Sequence, residues 1–314
     1  MNSVYGAAAK VKMEAQDMLA EQIAQKAGEL GVNMFSVCTM EDGCFRTRHL
    51  REAHTRNNVY SVSKSITSLV IGVLADRGIL DPFGDAIIKD LGSAEVPEGW
   101  EDVKMVHLLT HTTGFGESFL DIDNEDASTW ADADYMRIVL RQPLVHRPGE
   151  KMVYSDANYY ILSRIIAQRT GQTLQELARE SIWNPLGIAG AAWATCPLGY
   201  AMGATGLFLS VEDMAKIGAV LLHNGKAAGR EIVPSWWIRE MVKRRASQDP
   251  AGRDGYGLGF WTRTDTAAYM ANGMLGQLIY ISPEKGRVVA WQSCDHGAGI
   301  GPLTDFLVQL DQKE

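Results

Sequence analysis

NVYSVSKSITSLVIGVLADRG, residues 58–78, places Ser61 and Lys64 three positions apart at the head of an apolar segment. Val62, Ile66, Leu69, Val70 and Val73 recur at helical spacing, which predicts a helix ending near Gly78. Positions three apart on a helix share a face, so the Lys64 amine falls within reach of the Ser61 hydroxyl. A serine hydroxyl is a weak nucleophile until a neighbour takes its proton, and an adjacent amine or its partner supplies that service. The S-x-x-K spacing is one known way of building such a pair.

A second match, Ser282-Pro283-Glu284-Lys285, provides an internal control. It lies between two strand-like runs, GQLIYI and RVVAW, where Pro283 and Gly286 signal a turn. Its lysine is expected in solvent at a hairpin end. The segment context, not the spacing, separates the two copies.

At 314 residues the chain is long enough for two compact lobes or one large domain. Apolar residues at 46% and charged residues at 22% fit a globular protein. A formal net charge of -8 with no basic patch argues against a nucleic-acid partner. The start, MNSVYGAAAKVKMEAQDMLAEQIAQKAGELG, reads as an amphipathic helix closed by Gly31, without the apolar core of a secretory signal. No stretch is long and apolar enough to span a bilayer, so no membrane partner is expected. With that start as the native one, the expectation is a cytoplasmic protein.

Four cysteines, Cys38, Cys44, Cys196 and Cys294, are too few for a disulfide scaffold, and no C-x-x-C pair suggests zinc. Cys38 and Cys44 flank a turn and are close enough in sequence to meet across a hairpin; free buried thiols are the simpler expectation. His107 and His111, four apart in MVHLLTHTTG, lack a third ligand nearby and read as structural. No metal site and no cofactor are expected.

VNMFSVCT and CFRTRHL read as strands joined by MEDG. From Gly78 to about residue 200 the pattern is mostly helical, as in ADYMRIVLRQPL, ANYYILSRIIAQRTG and TLQELARESIW. VEDMAKIGAVLLHNG and PSWWIREMVKRR continue as helices. GYGLGFWTRT, AAYMAN, GQLIYIS and RVVAWQS return to strand, and PLTDFLVQLDQ closes the chain as a helix. Strands at both ends with helices between predict an α+β fold, an antiparallel sheet flanked by helices plus a mostly helical lobe. Residues 1–60 and 205–314 would form a discontinuous sheet lobe and residues 61–204 the helical lobe. The Ser61 helix stands at their boundary, and a cleft between lobes is a common place for a site.

Four further segments follow in order: LLTHTTGF at 108–115, PLVHRPGEKMVYSDANYYILSRII at 143–166, ATGLFLSVEDMAKIG at 204–218 and ANGMLGQLIYISPEKGRVV at 271–289. With YSVSKSITS they resemble the serine β-lactamase-like, penicillin-binding-protein-like family, which includes class C β-lactamases, D-aminopeptidase-type peptidases, carboxylesterases and nylon-oligomer hydrolases. The resemblance runs from about residue 30 to the end. It implies the β-lactamase/transpeptidase-like fold and roles for particular residues. Ser61 matches the nucleophile, Lys64 its lysine partner and Tyr154 the general base. Within Gly273-Met274-Leu275-Gly276, the backbone N–H of Met274 would pair with that of Ser61 as an oxyanion hole. Gly273, Gly276 and Asp156 would line the substrate site.

The implied chemistry is self-consistent. Free phenol and amine titrate near pH 10. Side by side in a partly buried cleft they share a proton, burial lowering the lysine and the ammonium lowering the tyrosine. Two departures bear on substrate. The second motif usually ends in Asn and here ends in Asp156, which if ionised would hold Lys64 as ammonium; the alternatives are a protonated carboxyl or a contact to a substrate amine. The third lacks its leading Lys or His, which in β-lactam-processing members binds a carboxylate. The expected substrate is therefore a small ester, amide or short peptide, cleaved by a serine hydrolase of the esterase or amidase kind. A β-lactamase or D-peptidase is the alternative enzyme, and a non-catalytic ligand-binding descendant the alternative outside enzymes.

Other residues stay open. Trp236 and Trp237 read as helix packing. Trp261 either lines the cleft or belongs to the sheet core. His296 follows the last strand and is a candidate to face the site. The acidic run DIDNEDASTWADAD is most simply a solvated loop, with a lid as the alternative.

Overall fold

A computed structural model describes residues 18–52, 55–84, 86–91, 96–248, 254–296 and 299–313. The expected first helix runs as α1 over residues 18–29; its earlier part lies outside the described residues. Gly31 closes it at φ +71°, with Val32 N–H donating to Ala27 O at 2.8 Å. Only glycine adopts that conformation cheaply.

Strand β1 (Met34–Glu41) turns through Asp42 and Gly43, at φ +51° and +76°, into β2 (Cys44–His49). Positive φ at both central residues is the hairpin turn whose twist matches its strands. Helix α2 (Val62–Asp76) follows. Helix α3 (Asp156–Thr170), closed by Gly171 at φ +70°, is the longest of the middle region. Helix α4 (Val211–Leu222) opens with a capping box, in which Ser210 Oγ accepts from Asp213 N–H. Helix α5 (Ser235–Met241) precedes strands β3 (Asp254–Tyr256), β4 (Trp261–Arg263), β5 (Tyr269–Gly273), β6 (Gln277–Ser282) and β7 (Arg287–Ser293). Helix α6 (Ile300–Lys313) ends the described chain.

The seven strands form one antiparallel sheet in the order β2-β1-β7-β6-β5-β4-β3. One face carries α1 and α6, whose Leu19, Ile23, Leu303 and Leu307 pack on Val37, Tyr280 and Trp291. The other belongs to a larger apolar cluster that takes in α2, α3, α4 and α5. The α+β fold with an antiparallel sheet flanked by helices is thus as expected.

Three local readings are corrected. GYGLGFWTRT is not one strand: residues 257–260 turn between β3 and β4, with Gly259 at φ +84°. The middle region holds shorter helices than its periodicity suggested, such as Tyr135–Leu140, and much irregular chain. Cys44 is exposed, not buried. The hairpin register sets Glu41 opposite Cys44 and Cys38 opposite Thr47, so both thiols are free. Ser282 pairs with Arg287 at the β6–β7 turn, as the internal control required.

Helix α2 is the axis of the molecule. Its polar residues Ser63, Ser65, Thr67 and Ser68 are as buried as its apolar ones. Buried hydroxyls need partners. Ser65 donates to Gly259 O at 2.5 Å and Thr67 to Gly203 O at 2.8 Å, which ties α2 to loops on two sides. Gly72 lies against the Trp237 indole, which donates to Ser68 O at 2.8 Å; a Cβ there would stand 2.1 Å from the ring. Trp236 and Trp237 are therefore packing residues, as read.

Candidate active site

Asn57–Asn58, Leu207–Leu209 and Ala192–Trp193 form a small three-stranded sheet that leads into α2. Val59 N–H donates to Leu207 O at 2.8 Å, fixing the chain just ahead of Ser61. Tyr60 then turns at φ +47°, its N–H donating to Asn58 Oδ1 at 2.9 Å. A non-glycine residue in that region is strained and is held there by its surroundings. The turn delivers Ser61 to the N-terminus of α2. Serine at that position usually caps its helix by accepting from backbone N–H groups. Ser61 makes no such bond. Its Oγ instead accepts from Lys64 Nζ at 2.7 Å.

Lys64 is fully buried, and its ammonium has three acceptors: Ser61 Oγ, Asp156 Oδ1 at 2.7 Å and Ala204 O at 3.1 Å. Burial pushes the lysine pKa down; the Asp156 charge, then Tyr154, more than offset it, and the pKa lies above the usual lysine value. Of the two expected influences on Lys64, burial and the Asp156 charge, the charge prevails. Three protons facing three acceptors describe an ammonium.

Tyr154 lies in extended chain just before α3. Its ring stands 4.8 Å from Lys64 Nζ, stacked between His111 at 4.1 Å and Trp261 at 5.9 Å, with Tyr256 edge-on at 6.0 Å. Trp261 thus lines the site. Asp156 begins α3, where the helix dipole favours its charge.

The third motif arrives on β5. A Cβ on Gly273 would meet Val59 O at 2.3 Å, so only glycine lets this strand close on the chain before Ser61. Beyond it, Leu275 and Gly276 turn at φ +58° and +83°. Their carbonyls are pinned: Ser293 Oγ lies 2.7 and 2.9 Å from the two, its single proton shared between them, Trp291 Nε1 donates to Gly276 O at 2.8 Å, and Asp295 N–H to Leu275 O at 3.1 Å. With these carbonyls held, the planar peptides fix the N–H groups of Gly276 and Gln277 and so the shape of the turn that follows Met274. His296 is exposed two residues beyond Cys294.

Two groups at the site escaped the sequence reading. Asp123, from the acidic run, turns inward: its Oδ2 accepts from Thr205 Oγ1 at 2.6 Å, and burial pushes its carboxyl above the usual range. Carboxylate oxygens of Asp121, Asp123 and Asp156 lie within 4.8 Å of one another. Such an oxygen set suits a hard cation, but Asp156 is already paired with the Lys64 ammonium. The run is therefore not simply a solvated loop. The other is His111, read as structural because only metal spacing was sought there; its signal was its place within LLTHTTGF.

A family model described as Beta-lactamase matches residues 44–297. The chain belongs to the beta-lactamase family. Over 284 residues it is 23% identical to the 6-aminohexanoate-dimer hydrolase of Paenarthrobacter ureafaciens, covering 82% of this chain and 72% of that protein. In structure it is similar to a putative 6-aminohexanoate-dimer hydrolase from Bacillus anthracis, with a TM-score of 0.75 and 19% identity over 89% of this chain and 79% of that one. EstCE1, described as a hydrolase with promiscuous acyltransferase activity, gives 0.75 and 16% over 93% of this chain and 98% of its own. The fold is that of the β-lactamase and penicillin-binding-protein group, and the family is one of hydrolases. Among the described residues no helix is long and apolar enough to cross a membrane.

Proposed function

We propose that the protein is a serine hydrolase that cleaves a small ester or amide through an acyl-enzyme on Ser61. The observation that carries this reading is the Ser61 hydroxyl, unused as a helix cap and held at 2.7 Å by a buried lysine. Lys64 acts as a fixed cation, not as the base. It orients Ser61 Oγ and supplies the positive charge that a tyrosinate base needs beside it. Tyr154 Oη accepts the Ser61 proton as Oγ attacks the carbonyl carbon. The N–H groups of Ser61 and Met274 receive the developing oxyanion, a donor of this kind being worth about 3 kcal/mol in the transition state. On collapse the C–O or C–N bond breaks, and the leaving group takes the proton back from Tyr154. Water then attacks the acyl carbon, giving its proton to Tyr154, and Ser61 departs with it.

The carboxylates of Asp121, Asp123 and Asp156 beside the nucleophile favour a substrate that carries an amine over one that carries a carboxylate. The Paenarthrobacter relative is a hydrolase of a 6-aminohexanoate dimer, an amide with a free amine at one end and a carboxylate at the other; it supports the amide class and leaves the choice of charge to the carboxylates here.

Labelling with a fluorophosphonate followed by peptide mapping tests the nucleophile. Ser61 is expected to carry the label, and Ser61→Ala to abolish turnover. Label on another serine, or turnover undiminished in Ser61→Ala, overturns the reading. For substrate class, kcat/KM is expected to be at least about tenfold higher for an amine-bearing ester or amide than for nitrocefin. Nitrocefin as the best substrate would restore the β-lactamase alternative.

A further inference from the structure

Resting on that reading, we propose that His111 is the positioning residue for Tyr154, gripping the chain on both sides of it and its ring between. The backbone carbonyl of His111 accepts from Val153 N–H at 2.8 Å. Its Nδ1 accepts from Ser155 N–H at 3.2 Å. Its ring stacks on the Tyr154 ring at 4.1 Å and 28°. The residues before and after the base, and the base itself, thus all rest on one side chain and its own peptide.

The imidazole is itself oriented. A backbone N–H only donates, so Nδ1 is the acceptor and the ring proton sits on Nε2. Asn158 Nδ2 also reaches Nδ1, at 3.1 Å, and Asn158 Oδ1 is held in turn by Thr113 Oγ1 at 2.6 Å. Among the described residues Nε2 has no hydrogen-bond partner although the ring is buried, and the residue sits at φ +57°, in the left-handed region. Unmet donors and strained backbone persist where the surroundings impose them, and they cluster at functional sites.

The groups facing the ring are Lys64 from α2, Tyr154 and Tyr159 from around the start of α3, and Tyr256 from β3. Burial, then the Lys64 ammonium, hold the imidazole pKa well below the usual histidine value. The ring stays neutral at neutral pH. A second cation would compete with Lys64 for Asp156.

Two variants separate the parts of the grip. Asn tolerates the left-handed backbone and sets a side-chain oxygen near the place of Nδ1, so His111→Asn removes the stacked ring alone. His111→Phe keeps a ring and removes the acceptor. Each is expected to lower kcat for a neutral ester, and the rate of Ser61 labelling by a fluorophosphonate, by at least about tenfold. KM should stay within about twofold, measured well below the melting temperature. A folded His111→Asn with wild-type kcat and labelling rate overturns the proposal. Should both variants fail to fold, Thr113→Val decides, because it loosens Asn158 and with it the ring; kcat should fall about threefold at unchanged KM, and an unchanged kcat overturns the proposal. Failure of the serine-hydrolase reading would look different: wild-type protein would not be labelled at Ser61 at all.

Discussion

Lys64 and Asp156 form a pair whose members cannot be removed singly at low cost. Both are buried, 2.7 Å apart, and taking away one partner of such a pair strands the other's charge, typically at about 3–5 kcal/mol. Lys64→Ala is therefore expected to lose stability as well as at least about 10²-fold in kcat, the usual scale for a positioned group in proton transfer. Adding Asp156→Asn to it should restore much of the stability and none of the activity. Urea unfolding and kcat measured across the double-mutant cycle check this. Activity returning along with stability would show that Lys64 serves the fold alone. In the sequence, the Asp in place of Asn in the second motif already raised the ammonium form of Lys64; the 2.7 Å contact that carries it appears only in the fold. The motif places lysine beside serine in sequence, but whether it is amine or ammonium depends on a carboxylate 92 positions away.

Strand β5 and the turn after it bring the third motif to the chain just before Ser61, and the approach depends on missing side chains. Gly273 has φ -125°, which any residue adopts, so its glycine answers to space and not to backbone strain. A Cβ there meets the backbone oxygen of Val59, which has no flexible end to move aside. Gly273→Ala is expected to push β5 away from Ser61 and misplace the Met274 N–H. A loss of about 10²-fold in kcat, the usual cost of one oxyanion donor, should appear in steady-state kinetics with little change in melting temperature. Wild-type kcat in a folded Gly273→Ala would remove Met274 from the oxyanion hole. Glycine was visible in the motif; the atom it avoids was not, because Val59 lies more than two hundred positions earlier in the chain.

At the scale of the molecule, a neutral buried histidine couples global stability to pH. His111 has a folded-state pKa well below 6.5, whereas in the unfolded chain it titrates near the usual value. Above about pH 6.5 neither state holds the proton, and His111 adds no pH dependence. Below it the unfolded chain takes up a proton that the folded protein refuses, so stability falls with pH until the folded value is reached. Urea unfolding at pH 7.5 and 5.5 should show wild type losing about 1 kcal/mol more than His111→Phe over that interval. Equal losses in the two proteins would mean that the folded imidazole takes up its proton as readily as the unfolded one, and that burial does not hold it neutral.

The sequence by itself determined the features that rest on near neighbours. Helical spacing put Ser61 and Lys64 on one face, Asp42-Gly43 made the first hairpin, Ser210 and Asp213 capped α4, and Pro283 and Gly286 marked the second S-x-x-K as a turn. Each depends on residues a few positions apart, where backbone geometry leaves few choices. Tertiary structure decided what distant residues do to one another. It buried α2 on every side, so that Ser65 and Thr67 became anchors. It turned Asp123 inward, set Trp261 against Tyr154, and stacked His111 on the Tyr154 ring. Those outcomes depend on packing and on charges meeting in a low-dielectric interior, and neither is encoded in local spacing.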